Sequence, residues 1–154
     1  MKYILFFLFP LGLGVLACSS AKKTHSSMIT QGIKGTITEA TGNQMPMQGR
    51  PPAVPKGILT TVLVYEPTNI RQVTRVGTSP VYTAIATKLV ASADTDSTGA
   101  FSIQLPVGSY SIFIKQGDRF YANLFDTNNN IAVFTVEEGK VTEAKLTVSL
   151  RASY

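Results

Sequence analysis

Near the C-terminus, in the segment "VTEAKLTVSLRAS", Ala144, Leu146, Val148 and Leu150 alternate with Lys145, Thr147, Ser149 and Arg151. A repeat of two places the apolar set on one face of an extended strand and the polar set on the other. The same alternation recurs along the chain, broken by Gly, Pro and Asn. No long segment carries the i, i+3, i+4, i+7 spacing of an amphipathic helix. The chain is therefore expected to be all-β. Short strands separated by turn signals every 8 to 12 residues predict an antiparallel sandwich of seven to eight strands.

The individual segments sharpen this expectation. "QGIKGTIT" opens the series, with Ile33 and Ile37 on one face. "TGNQMPMQGRPPAVPKG" is too rich in proline for regular structure and reads as a loop. "ILTTVLVYE" is almost wholly β-branched, apolar or aromatic, which fits a central strand buried on both faces. In "IRQVTRV", Arg71 and Arg75 interrupt the apolar pattern and point to an exposed edge strand, where charge discourages pairing with another chain. "TKLVASAD" is a further strand. "AFSIQL" alternates Phe101, Ile103 and Leu105 with polar residues, "PVGS" turns the chain back, and "YSIFIKQ" sets Tyr110, Ile112 and Ile114 on one face. "FYANLF" and "IAVFTVEE" precede the terminal strand.

The beginning of the chain has a different character. One cation at Lys2, an apolar run from Ile4 to Leu16 and small residues up to Cys18 fit a secretory signal peptide. With Pro10, Gly12 and Gly14 inside it, the run is short of the ~20 residues that a spanning helix needs. "VLAC" resembles the lipobox of bacterial lipoproteins, in which the cysteine is acylated and becomes the new N-terminus. Cys18 is the only cysteine in the sequence, so no internal disulfide competes for it after export. The polar segment "SSAKKTHSSMIT" reads as a tether with a span on the order of 20 Å, and Lys22 and Lys23 suit an anionic lipid surface or plain solvent. Residues 1–17 are thus expected to be a signal peptide, 18–30 a lipidated cysteine with its tether, and 31–154 a single domain. An acidic cluster just after the cysteine, usual in surface-exposed lipoproteins of the Bacteroides type, is missing. That favours the periplasmic face of an outer membrane.

Fourteen basic residues against nine acidic give the full chain a formal charge of +5. An exported, lipid-anchored protein does not meet nucleic acid, so the expected partners are the membrane through acylated Cys18, an envelope protein, or a glycan.

The stretch "TDSTGAFSIQLPVGSYSIFI" resembles the signature of carboxypeptidase regulatory-like domains, a transthyretin-like (prealbumin-like) sandwich. The matching residues are Thr95, Asp96, Gly99 and Phe101, then Leu105, Pro106, Gly108 and Tyr110. "GTITEATGNQMP" and "FYANLFDTNN" also look like segments of small Bacteroidetes lipoproteins of this kind. The resemblance implies a non-catalytic accessory, stabilising or docking module.

The residues themselves leave little room for catalysis. His25, the only histidine, lies in the tether and the only cysteine is the expected anchor, so no Ser/His/Asp or Cys/His set and no zinc site is expected in the domain. The same lack, and an ending "LRASY" instead of Tyr-Arg-Gly-Ser, separates the chain from the transthyretin-like hydroxyisourate hydrolases. A glycosidase carboxylate pair finds little cleft in so small a domain. No cofactor is expected. Calcium is an alternative: "DTDSTG" sets Asp94, Asp96, Thr98 and Gly99 where an EF-hand-like loop begins, and "DTNNN" does the same with Asp126, Asn128 and Asn130. The first has Leu105 where the bidentate Glu belongs and the second has Ile131 where Gly belongs. Asp and Asn are also what tight turns select. A glycan-binding alternative rests on aromatics at an exposed face, with Tyr82 and Tyr121 as the stacking residues and Tyr65 and Phe113 beside them.

Overall fold

A computed structural model describes residues 29–45, 49 and 53–153. The expected signal peptide, Cys18, Lys22, Lys23, His25 and part of the proline-rich segment lie outside the described residues.

The described chain is a sandwich of two sheets, as the alternation requires. The smaller sheet is built on β1 (Gly32–Asn43), with β11 (Val141–Ser153) along one edge and β2 (Lys56–Gly57) and β7 (Ala100–Gln104) sharing the other. The larger sheet runs β4 (Val73–Arg75), β5 (Val81–Ile85), β9 (Arg119–Tyr121), β8 (Gly108–Gln116), β3 (Thr61–Tyr65), β6 (Leu89–Asp94), and β10 (Val133–Val136) pairs with β8 beside β9. A 3₁₀ turn, Ile70–Gln72, leads into β4. No described helix is long and apolar enough to cross a membrane.

Among the described residues eleven strands stand where seven or eight were expected, because several are only two or three residues long. Pairing is antiparallel throughout except between β1 and β11, which run parallel with Ile37 beside Leu146. These two strands are separated by the whole domain, so no hairpin constrains their direction.

β3 shows how the sequence writes the architecture. Val62 and Val64 point into the core between the sheets, while Leu63 and Tyr65 point to a second apolar cluster on the outer face of the larger sheet. An apolar run without alternation is what a strand covered on both faces needs. β8 does the same: Tyr110, Ile112 and Ile114 face the central core and Phe113 the outer cluster. Each such aliphatic side chain contributes roughly 1.5–3 kcal/mol by leaving water. The outer cluster is covered by residues 122–132, which bury Ala122, Ile131 and Ala132 over Tyr82 and Phe113.

Two expectations need correction. The Pro106–Gly108 turn does not close a hairpin, because β7 belongs to the smaller sheet and β8 to the larger, so the turn carries the chain across the sandwich. Leu150 does not share the buried face of Ala144, Leu146 and Val148. The register passes from Glu39 beside Val148 to Thr41 beside Arg151, so β11 bulges at Ser149 and Leu150, and Leu150 turns outward at 44% exposure.

Candidate functional site

The signature loop between β6 and β7 is held from both sides by hydrogen bonds. Buried Thr95 donates its N–H to the Thr60 carbonyl (2.8 Å), while its hydroxyl accepts from the Thr60 N–H (2.7 Å) and donates to the Ile58 carbonyl (2.7 Å). Asp96 then closes the turn: Oδ1 accepts from the Thr98 hydroxyl (2.6 Å), the Thr98 N–H (2.8 Å) and the Ala100 N–H (3.0 Å). The Thr98 hydroxyl, with the Ala100 and Thr98 amides behind it, holds this exposed carboxyl below the ordinary Asp range. Gly99 has φ +80° and its carbonyl accepts from the Ile37 N–H of β1 at 2.8 Å. Any Cβ there would meet the Ile37 oxygen at 2.0 Å and the Gly57 Cα of β2 at 3.1 Å.

The remaining signature residues complete the same support. Phe101 and Leu105 are buried in the central core. Tyr110 packs there too and donates its hydroxyl to the Pro106 carbonyl at 3.0 Å, locking the crossing turn, and its ring covers Gly108. Asp94, on the exposed side of β6, accepts from the Thr61 hydroxyl of β3 at 2.8 Å.

The second acidic loop is likewise internally satisfied. Asp126 Oδ1 accepts from the Asn128 and Asn130 N–H groups and Oδ2 from the Asn130 side-chain amide, each at 2.8 Å. The Asn130 N–H and side chain hold the Asp126 carboxyl below its ordinary range. Asn69 caps the 3₁₀ turn and donates its side-chain amide to the Asn128 carbonyl (2.8 Å) and to Asn130 Oδ1 (3.1 Å). The loop is thereby stitched to the 3₁₀ turn that leads into β4. Of the calcium candidates, Asp94 and Asp96 lie at the β6–β7 loop and Asp126, Asn128 and Asn130 in another, and the Asp carboxylates accept hydrogen bonds from turn and strand donors. Among the described residues no group of three or more His, Cys, Asp or Glu side chains lies together where a metal ion could sit.

The sugar-stacking role expected of Tyr82 and Tyr121 is corrected by their burial. Tyr82 is 0% and Tyr121 1% exposed. Tyr82 and Tyr65 meet the fully buried Phe113 edge to face, and Tyr82 donates to the Ala122 carbonyl at 3.2 Å. Burial raises the hydroxyl pKa of both Tyr65 and Tyr82. Tyr121 reaches from β9 to the edge of β11, where its hydroxyl donates to the Thr147 carbonyl and accepts from the Ser149 N–H, both at 3.2 Å. None of these rings offers a face to a ligand.

What the described surface does offer is a shallow groove of about 230 Å³ at the β4–β5 edge, between Arg71, Val73 and Thr74 on one side and Ala84, Ile85 and Ala86 on the other. Of the segment read as an edge strand only Val73–Arg75 is strand, and Arg71 lies in the 3₁₀ turn before it; the groove needs the register of β4 on β5 and had no sequence signal. Gly57 and the Tyr121 hydroxyl contacts were missed for the same reason, and Thr95, named from the sequence, showed nothing there of its bonds to Thr60 and Ile58, because these partners lie on strands distant in sequence.

Comparison of the chain with family models, with curated proteins and with solved structures gave no match.

Proposed function

We propose that this chain is a lipid-anchored, non-enzymatic module of the cell envelope that docks to, or assists, another envelope protein. The observation that carries the reading is the distribution of reactive residues. The lone cysteine closes the "VLAC" segment after the apolar run, the lone histidine follows it at position 25, and the sandwich has neither residue. Acyl chains on Cys18 would anchor the chain, each buried methylene adding ~0.8 kcal/mol, and one chain alone being marginal. The lack of acids after Cys18 supports the periplasmic face of an outer membrane. The resemblance of residues 95–110 to the carboxypeptidase regulatory-like signature supports an accessory role and a transthyretin-like arrangement of the strands.

The test combines anchoring with capture. The wild-type chain is expected to incorporate radiolabelled fatty acid and to fractionate with membranes, and Cys18→Ala to lose both. Continued membrane association and full processing of Cys18→Ala would sink the anchor. Crosslinking in intact envelopes is expected to trap the wild-type chain on one envelope protein; recovery of the chain alone would sink the docking role.

A further inference from the structure

The two strands that end the main path of the larger sheet, β6 and β4, differ in a way that separates their uses. β6 bulges at Val90 and is flanked by charges of both signs, Lys88 and Asp94. A bulge and mixed charge blunt an edge against other chains. The outer edge of β11, in the smaller sheet, is occupied at its middle by the Tyr121 hydroxyl.

β4 is only three residues long and its ladder with β5 is irregular between Thr74 and Arg75, where Thr83 is the extra residue on β5, but β4 itself is unbulged and its charge is of one sign. Residues 67–93, which contain β4, β5 and most of β6, include the cations Arg71, Arg75 and Lys88 and no acidic residue. Arg75 turns its guanidinium back onto the carbonyls of Ser79 (2.6 Å) and Thr78. The exposed Arg71 guanidinium has no acceptor among the described residues. The backbone of this edge is also open. The Ala86 N–H donates to the Gln72 carbonyl at 2.8 Å, and Val73 pairs with Ile85 and Thr74 with Ala84. The alternation of an antiparallel ladder therefore turns Gln72 and Thr74 toward β5 and leaves the N–H and C=O of Val73 pointing out of the sheet. Beside them lies the groove walled by Arg71, Val73 and Ile85.

We propose that the β4 edge takes up an acidic, extended segment of a partner protein by strand addition. The segment's backbone pairs with Val73, a carboxylate lies against Arg71, and an apolar side chain enters the groove. The charge that selects this partner also rejects a second copy of the chain, because two β4 edges would bring Arg71 and Arg75 against their own kind. The proposal rests on the docking role and names its edge and the chemistry of its partner.

The test titrates a labelled peptide of alternating Glu and Val against the full chain, beside a Lys/Val peptide and a Glu/Val peptide N-methylated throughout. The acidic peptide is expected to bind, both controls to fail, and Arg71→Glu to weaken binding by about tenfold or more. Arg71 is exposed, so this variant should keep its melting temperature, and Arg71→Ala gives a second, milder reading. Failure of the acidic peptide to bind, equal binding of the Lys/Val peptide, undiminished binding of the N-methylated peptide, or indifference to Arg71→Glu each overturns the proposal. Where the peptide fails but envelope crosslinking still captures a partner, β4 is excluded as the docking edge and the docking role stands.

Discussion

The Tyr121 hydroxyl accepts the N–H of Ser149 at 3.2 Å while donating to the carbonyl of Thr147, so one side chain from the larger sheet stands where a neighbouring strand would pair with the smaller. Gly32 donates its N–H to the Lys140 carbonyl, which fixes the phase of β11: alternate residues from Lys140 face β1, and Thr147 and Ser149 face away. Tyr121 therefore clamps the two sheets and closes the middle of an edge strand with the same atom. Tyr121→Phe leaves two backbone groups unpaired in a part-buried place and is expected to cost about 1–3 kcal/mol. Urea unfolding should show a lower midpoint at unchanged slope, and the Ser149 amide should exchange faster while that of Val148, turned toward β1, holds. An unchanged midpoint would show that water replaces the clamp at no cost.

Gly99 and Gly77 separate conformational strain from crowding. Both have positive φ, +80° and +55°, but a Cβ on Gly77 would meet open space and one on Gly99 would meet the Ile37 carbonyl oxygen at 2.0 Å. Gly77→Ala should cost about 1–2 kcal/mol, the ordinary penalty of a left-handed conformation. Gly99→Ala adds a backbone clash that β1 cannot relieve without losing the Ile37–Gly99 hydrogen bond, and is expected to cost roughly 3 kcal/mol or more. Equal melting temperatures for the two variants would mean that the signature loop is not packed against β1 as described.

The same loop shows what the sequence could and could not convey. Gly99, Pro106 and Gly108 announced turns because turn chemistry is local. They could not say that the second turn crosses between sheets, because that depends on β1 claiming β7 and β3 claiming β8. The run Val62–Tyr65 announced two-sided burial because neither of its faces is polar. Tyr82 and Tyr121 announced nothing of the kind. Alternation tells which residues share a face and is silent on whether a loop such as 122–132 covers that face. Leu150 misled for a further reason: a one-residue bulge reverses a two-residue period, and nothing in "TVSLRAS" marks it.

Asp96 and Asp126 make stability depend on acid. Each carboxyl accepts hydrogen bonds that favour its charged form, so its folded pKa lies below the ordinary 3.8. The unfolded chain then binds protons first as the pH falls. The contribution is present above the unfolded value and is lost as the pH drops through the folded one. Urea midpoints measured from about pH 6 down to about pH 2 should fall below roughly pH 4. The double variant Asp96→Asn with Asp126→Asn should start lower at neutral pH and show a flatter acid limb. Identical limbs would move the acid sensitivity to other carboxylates. Millimolar calcium is expected to leave the melting temperature of the wild-type chain unchanged, since these oxygens already serve protein donors.

Tyr82 decides between a ligand-stacking face and a second core. Its ring stands edge-on to Phe113, centroids 5.7 Å apart at 90°, and Phe113 meets Tyr65 in the same way at 5.5 Å and 84°. A stacking residue on an open face can be truncated with little loss of stability. Tyr82 is fully buried and packed beneath Ala122 and Ile131, so Tyr82→Ala opens a cavity and is expected to cost about 3–5 kcal/mol. Tyr82→Phe keeps the ring and loses only the bond to the Ala122 carbonyl, for about 1 kcal/mol. Thermal unfolding of the two variants gives the answer: a large drop for Ala and a small one for Phe identifies a core ring. A Tyr82→Ala variant that melted like the wild type would instead mean that residues 122–132 do not cover this face in solution, and would return the outer aromatic cluster to the surface as a place where a ligand could stack.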